Sequence, residues 1–187
     1  MTADGGATWK RIRRDAPPAS IAADPRDGDR LWLADDHGLH RSTDGGSTFT
    51  RRHGAALGAI ALDPEDPERL IAGGTRLYVS EDGGTTLRPA FYADLELAIQ
   101  DVVFDPVRPG VAYAAAACSS ELGLPRGGRG VLRTTDGGRT WSSFAQGLDD
   151  LCVHALAVTA DGRSLFAGTA RTGVQRIQLA SGEVPGG

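Results

Sequence analysis

One octapeptide occurs four times, and it limits the folds open to this chain more than any other feature. Its copies are Thr2-Ala-Asp-Gly-Gly-Ala-Thr-Trp9, Ser42-Thr-Asp-Gly-Gly-Ser-Thr-Phe49, Ser80-Glu-Asp-Gly-Gly-Thr-Thr-Leu87 and Thr134-Thr-Asp-Gly-Gly-Arg-Thr-Trp141. Their aspartates Asp4, Asp44, Asp82 and Asp136 stand 40, 38 and 54 residues apart. A regular period of this size is the mark of a repeat architecture, in which each unit buries its apolar face against the next.

Two further elements keep the same beat. Ile21-Ala-Ala-Asp-Pro25, Ile60-Ala-Leu-Asp-Pro64 and Val102-Val-Phe-Asp-Pro106 each precede a short apolar run, and His154 to Gly162 is the fourth, altered copy. Gly38-Leu-His-Arg41 returns as Arg76-Leu-Tyr-Val79, Gly130-Val-Leu-Arg133 and Gly173-Val-Gln-Arg176. Each unit therefore reads as strand, Asp-Pro turn, strand, loop, strand, Asp-Gly-Gly turn, strand. The segments are short and bounded by Gly, Pro and Asp, and no long stretch has helical periodicity. The expected fold is all-β, a β-propeller of about four four-stranded antiparallel blades. The chain is read as a single domain, 1–187, with units at about 1–14 (partial), 20–52, 58–91, 100–145 and 153–180.

The octapeptide has a local logic. A tight hairpin needs positive φ, which glycine adopts without a Cβ clash. The Asp accepts hydrogen bonds from the turn's own amides. The Ser or Thr two residues before it and the Thr four residues after it tie the arms together. The last residue (Trp9, Phe49, Leu87 or Trp141) anchors the hairpin in the apolar layer between blades.

Thr134 to Trp141 resembles the Asp-box of the bacterial neuraminidase repeat, Ser/Thr-x-Asp-x-Gly-x-Thr-Trp/Phe. That motif occurs in sialidases, xyloglucanase-type glycoside hydrolases, sortilin ectodomains and the photosystem II assembly-factor family. The Asp-Pro element makes this chain look more like the last three than like sialidases. The resemblance implies a propeller whose boxes lie on the face opposite any active site. Asp4, Asp44, Asp82 and Asp136 are then turn residues, one blade apart and too distant to share a metal or flank one bond.

A functional site is sought on the other face, in the loops between second and third strands and between units. A sialidase-like site needs an arginine triad, and Arg76, Arg129 and Arg171 are the candidates; however, the usual Arg-Ile-Pro is absent. An inverting glycosidase needs two carboxylates about 6.5–9.5 Å apart. Asp35 or Asp36 with Asp149 or Asp150 would be such a pair, although Asp-Asp steps are more often loop solubilisers. The 54-residue interval holds an insertion, Cys118 to Arg129, whose Glu121, Arg126 and Arg129 join Arg76 and Arg171 as binding candidates. No metal-ligand spacing is found among the histidines, and no cofactor is expected.

A net charge of −4 with both signs interspersed argues against a nucleic-acid surface, and the longest apolar run, Val111 to Cys118, is too short to span a bilayer. The chain as given reads as cytoplasmic, or extracytoplasmic if a leader lies outside it. A disulfide between Cys118 and Cys152 is the minority expectation, because cytosolic thiols stay reduced. Thr8 to Ile12 is a spare fourth strand, and the last unit lacks one. The ring then closes by strand exchange with Trp9 buried between blades, or the chain is an arc of a larger propeller, prone to self-association. The arc is weighted slightly above the ring. The function expected is a non-catalytic binding or assembly scaffold for a protein or glycan, with a glycoside hydrolase segment as the alternative.

Overall fold

The computed structural model describes residues 6–9, 17–90, 98–118 and 128–179. All regular structure among them is β, so no helix is long and apolar enough to cross a membrane. Four antiparallel sheets follow one another along the chain. The first holds β1 (Ser20–Asp24), β2 (Asp27–Asp35), β3 (Gly38–Ser42) and β4 (Thr50–His53). The second holds β5 (Leu57–Leu62), β6 (Leu70–Gly74), β7 (Leu77–Ser80) and β8 (Arg88–Pro89). The third holds β9 (Ile99–Phe104), β10 (Ala112–Ala116), β11 (Gly130–Thr134) and β12 (Ser142–Ser143). The fourth has three strands, β13 (Val153–Val158), β14 (Ser164–Thr169) and β15 (Val174–Gln178).

Within each sheet the strands lie in chain order, and the innermost strands β1, β5, β9 and β13 pack side by side in that order. This is a propeller arrangement of four successive blades. It is not closed: β13 does not pack on β1 as each inner strand packs on the next. Of the two readings left open by the sequence, the described sheets therefore form an arc.

Three apolar layers hold the arc together. Trp32, Leu39, Ile60, Leu70 and Leu87 join the first sheet to the second. Ile71, Leu77, Ile99, Val102, Ala112, Leu132 and Trp141 join the second to the third. Tyr113, Val131, Val153, Leu156 and Leu165 join the third to the fourth. The spacing is tight enough to select small residues. A Cβ on Gly73 would stand 2.2 Å from Cγ2 of Ile99 in the next sheet. The Asp-Gly-Gly turns pack equally closely: Gly138, at φ 96°, would meet Ile71 of the preceding sheet at 2.9 Å. A side chain at Gly138 is disfavoured both by this approach and by its backbone conformation.

The Asp-Pro turns carry a second repeated device, missed in the sequence. Asp24, Asp63 and Asp105 are buried, and each caps its own turn by accepting from an amide two residues on, at 2.9, 2.9 and 3.0 Å. Their remaining oxygens pair with Arg30 (3.0 Å), Arg69 (3.3 Å) and Arg108 (2.5 Å). Burying a carboxylate is tolerated only with such partners.

Two expectations need correction. Trp9 is 76% exposed rather than wedged between blades. Its counterparts Leu87 and Trp141 are buried because each sits between its own sheet and the preceding one, and Trp9 has no such pair of sheets around it. The rest of the expected outer strand, Lys10 to Ile12, and Asp4 lie outside the described residues. The second correction concerns the thiols: Cys118 and Cys152 form a disulfide, with Cα atoms 5.0 Å apart. The sequence reading weighed compartment but could not see that the end of β10 and the start of β13 meet.

Candidate functional site

Strand alternation sends the β1–β2 and β3–β4 turns to one end of every sheet and the β2–β3 turns and inter-sheet connections to the other. The Asp-Gly-Gly turns occupy the first end. There Asp44 accepts from the Thr48 hydroxyl (2.6 Å), the Thr48 amide (2.9 Å) and the Ser42 hydroxyl (2.8 Å). Asp136 repeats this with Thr140 and Thr134, and Asp82 with the Thr86 amide and Ser80. In each, the Ser or Thr hydroxyl also accepts from the second glycine's amide, at 2.8–3.0 Å. Donation by Thr48 and Ser42 lowers the Asp44 carboxyl from 3.8 to about 2. Burial pushes Asp82 and Asp136 upward, but their donors outweigh it and hold both below the ordinary value. Saturated with internal donors, these carboxylates are occupied within their own turns. The first glycine of each turn also donates to the β1–β2-type turn of its own sheet, from Gly45 to Asp29, Gly83 to Glu68 and Gly137 to Gly110.

The opposite end carries the sequence candidates. Asp35 is 1% exposed and clamps the two-residue β2–β3 loop: Oδ1 accepts from the amides of His37 and Gly38, both at 2.9 Å, with His40 Nε2 at 3.2 Å. Asp36 is exposed and pairs with His37 Nδ1 at 2.7 Å. Ligand atoms of Asp35, Asp36 and His37 lie within 4.8 Å of one another. Three neighbours on one tight loop, with Asp35 already engaged by that loop, make a turn clamp rather than a metal centre.

Asp149 and Asp150 lie in the connection from the third sheet to the fourth. Asp150 is buried, and its two oxygens accept from the amides of Cys152 and Arg171, each at 2.9 Å. Asp149 is exposed and exchanges hydrogen bonds with Gln175, at 2.7 and 3.2 Å. Around them the chain is knitted tightly. The amide of Gly130 donates to Leu151, and that of Ala170 to Cys152, both at 2.9 Å. The Gly128 amide contacts Cys118 Sγ at 3.1 Å, beside the disulfide. Asp149, Asp150 and Arg171 are thus brought together at one corner, at the base of the insertion, with Arg129 exposed beside it. Arg76 is exposed on the β6–β7 turn of the second sheet, and Asp35 and Asp36 belong to the first. Glu121 and Arg126 lie outside the described residues.

Asp101 was not anticipated. It sits in β9, where its two oxygens accept from the amide of Val102 (2.9 Å) and from that of Leu156 in the next sheet (2.8 Å). Burial raises its carboxyl against those donors. Ser20 does the same work between the first and second sheets, its hydroxyl accepting from the Ile60 amide at 3.3 Å. Side-chain acceptors on inner strands thus bridge two of the three sheet junctions.

This sheet order, with its repeated turns, defines a β-propeller. The chain is a β-propeller array, a fold it shares with GH74 xyloglucanases and with YCF48. It is 28% identical over 162 residues to a xyloglucanase of Hypocrea jecorina, covering 84% of this chain and 18% of that protein. It is 31% identical over 149 residues to a probable oligoxyloglucan-reducing end-specific xyloglucanase of Neosartorya fischeri, covering 67% of this chain and 17% of that protein. The chain therefore spans less than a fifth of the length of these relatives. Among solved structures, the GH74 enzyme of Niastella koreensis superposes with a TM-score of 0.67 at 22% identity, over 86% of this chain and 28% of its own. YCF48 bound to D1 peptide superposes with a TM-score of 0.59 at 15% identity, over 90% of this chain and 57% of its own. No protein-family model matches the chain.

Proposed function

We propose that this chain is a non-catalytic Asp-box propeller segment that serves as a binding or assembly scaffold. The observation carrying this reading is the condition of the paired carboxylates. Asp35 and Asp150 are buried and committed to backbone amides, which suits them to hold loops and not to shuttle protons. The ligand surface is the loop end opposite the Asp-boxes, at the corner of the third and fourth sheets. There the disulfide and Asp150 fix the scaffold, and Arg129 and Arg171 stand exposed beside the insertion bearing Glu121 and Arg126. An exposed arginine pair on rigid loops suits an acidic peptide or the hydroxyl groups of a glycan. The disulfide supports an extracytoplasmic setting.

The second reading, a segment of a glycoside hydrolase, is favoured by one specific finding: both relatives quoted above are xyloglucanases. In that case Asp36 and Asp149, the exposed members of the two acidic pairs, are the candidate carboxylates. The readings separate by incubating the purified chain with xyloglucan and chromogenic glycosides while measuring retention on immobilised xyloglucan. The expected result is no release of reducing ends, with any retention reduced by Arg129→Ala and Arg171→Ala at unchanged melting temperature. Turnover that disappears in Asp36→Asn or Asp149→Asn would replace the scaffold reading with the hydrolytic one.

A further inference from the structure

One register position decides what each sheet offers the next at the Asp-Gly-Gly end. Arg41 stands opposite Trp32 in the first sheet, Val79 opposite Ile71 in the second, Arg133 opposite Tyr113 in the third and Arg176 opposite Phe166 in the fourth. Val79 is the short side chain at a position that the other sheets give to arginine.

In the first junction Arg41 spans the gap. Its guanidinium lies 4.9 Å from the centre of the Trp32 ring and pairs with Glu68 of the second sheet at 3.2 Å. Glu68 has a counterpart in the third sheet. Its carbonyl accepts from the amide of Gly83, as that of Gly110 accepts from the amide of Gly137. In the second junction both members of the ion pair are therefore replaced, Arg41 by Val79 and Glu68 by Gly110.

The place is an open cleft of about 360 Å³, lined by Val79, Glu81, Asp82, Thr86, Arg88 and Arg139, with Pro89 beside them. That volume lies within the range of small-molecule sites, about 300–1,000 Å³. Val79, 7% exposed, forms its base. Val79 and Arg88 are cross-strand partners, so both stand on one face of the second sheet. Arg139 reaches over from the third sheet to pair with Glu81, so two sheets build the rim. Asp82 takes the Ser80 hydroxyl and the Thr86 amide on Oδ1, both at 2.8 Å. In the first and third boxes it is Oδ2 that accepts the threonine hydroxyl, at 2.6 Å.

The lining selects the chemistry of an occupant. Two carboxylates and two guanidiniums face one cleft, so an anion meets Glu81 and Asp82 while a cation meets Arg88 and Arg139. The acid that holds a guanidinium in the first junction has no equivalent here, and Glu81 already has Arg139. A neutral ligand with several hydroxyls suffers neither repulsion: a hydroxyl donates to a carboxylate and accepts from a guanidinium. Val79 and Pro89 give the apolar surface that the C–H face of a sugar ring can cover. We infer that this cleft binds a neutral sugar unit between the Asp-boxes of the second and third sheets, at the end opposite the loop surface proposed above.

Titration of the isotope-labelled full chain with cellobiose, a neutral disaccharide, followed amide by amide in NMR spectra, tests this. Glucuronate and arginine amide serve as the charged probes. The expected result is that the amides of Glu81, Thr86, Arg88 and Arg139 shift with cellobiose, saturate in the millimolar range and respond equally in added salt, because the ligand is uncharged. Val79→Arg gives the second sheet the residue the others carry and should abolish these shifts. Glu81→Ala and Arg139→Ala lie on the exposed rim, where an ion pair adds little stability, so their melting temperatures should stay near that of the parent chain. Each should raise the dissociation constant by about tenfold, the loss of a hydrogen bond to a charged group. The rim variants decide the matter if Val79→Arg does not fold. The inference is overturned by no shift at these amides, by a larger response to either charged probe than to cellobiose, or by unchanged binding in both rim variants. Cellobiose shifts confined to Asp149 through Arg171 also overturn it, and they leave the loop-end reading standing.

Discussion

The third and fourth sheets have equivalent inner strands, the same strand pairing and nearly the same apolar positions, yet among the described residues one has four strands and the other three. In the third, the Asp-Gly-Gly hairpin folds back over β11, and Trp141 enters the layer shared with the second sheet, its indole N–H bonded to Gly138 at 2.9 Å. In the fourth, β15 runs on past the place where that turn would begin, and the corresponding layer is left as a groove. The difference shows what the octapeptide does. Its turn chemistry is local, but its product is a wedge that joins two sheets.

The strongest way to break that comparison is to make the third sheet resemble the fourth. Trp141→Ala should cost about 3–5 kcal/mol, the range for emptying a large aromatic site in a packed layer. Urea unfolding followed by circular dichroism reads the cost directly. A change no larger than that of a surface substitution, about 0.5 kcal/mol or less, would mean that the ring is not a wedge. Next comes the covalent tie across the two sheets. Reducing the Cys118–Cys152 disulfide, which spans 34 residues, should lower stability by about 2–4 kcal/mol, chiefly by releasing the unfolded chain. Cys118→Ser with Cys152→Ser should match the reduced protein in thermal unfolding, and neither should respond to dithiothreitol.

A smaller contrast lies in the turn after the inner strand. In the third sheet Asp105 is buried, caps the turn and pairs with Arg108. In the fourth, Asp161 makes an exposed equivalent, accepting from the Thr159 hydroxyl at 2.6 Å and the Arg163 amide at 3.0 Å, with Arg163 Nε at 3.8 Å. Asp105→Ala should destabilise by about 1–3 kcal/mol because the amides of Val107 and Arg108 lose their acceptor. Asp161→Ala should move the unfolding midpoint far less, because the Arg163 amide it frees is open to water. Equal effects at both positions would show that burial of the carboxylate is not what makes the Asp-Pro turn matter.

The sheet order was legible because the repeat states it. The octapeptides, the Asp-Pro turns and the apolar runs mark strand ends, and their period separates blades. What escaped reading depends on contact between units. Nothing around Asp105 in sequence says that Arg108 turns back onto it, or that Asp101 reaches the Leu156 amide 55 residues away. The disulfide escaped for the same reason, since its two cysteines meet only when consecutive sheets stack. Trp9 misled in the opposite sense: its motif shows what it can wedge, but a wedge is buried only where two sheets flank it. At the loop end, Asp35 and Asp150 look in sequence like available acids, and only their amide partners show them to be clamps.

The smallest expected effect distinguishes the hairpins from the junction by acid. Asp44, Asp82 and Asp136 have carboxyls held below 3.8 by donors in the Asp-Gly-Gly turns, Asp44 at about 2. A group whose folded value is depressed contributes stability above its unfolded value and loses that contribution as pH falls toward the folded one. For Asp44 the window runs from 3.8 down to about 2. Asp101 carries the opposite sign. Burial raises its carboxyl, so its contribution is fully present in acid and declines as pH rises through its ordinary value toward the raised one. Protonation relieves the burial cost of the Asp101 charge, so the Leu156 bond holds in acid, whereas protonation of Asp44 or Asp136 removes the charge that their hydroxyl and amide donors favour. Hydrogen exchange, corrected for intrinsic rates, should therefore show protection of the Thr48 amide falling as the pH is lowered through that window, and protection of the Thr140 amide falling as the pH drops below the ordinary carboxyl value. Protection of Leu156 should hold or rise over the same range. In Asp136→Ala, Thr140 should be unprotected at every pH, while Thr48 still titrates. Loss of all three amides together in the native protein would mean that acid opens the sheets as one unit, and that hairpin and junction are not separately tuned.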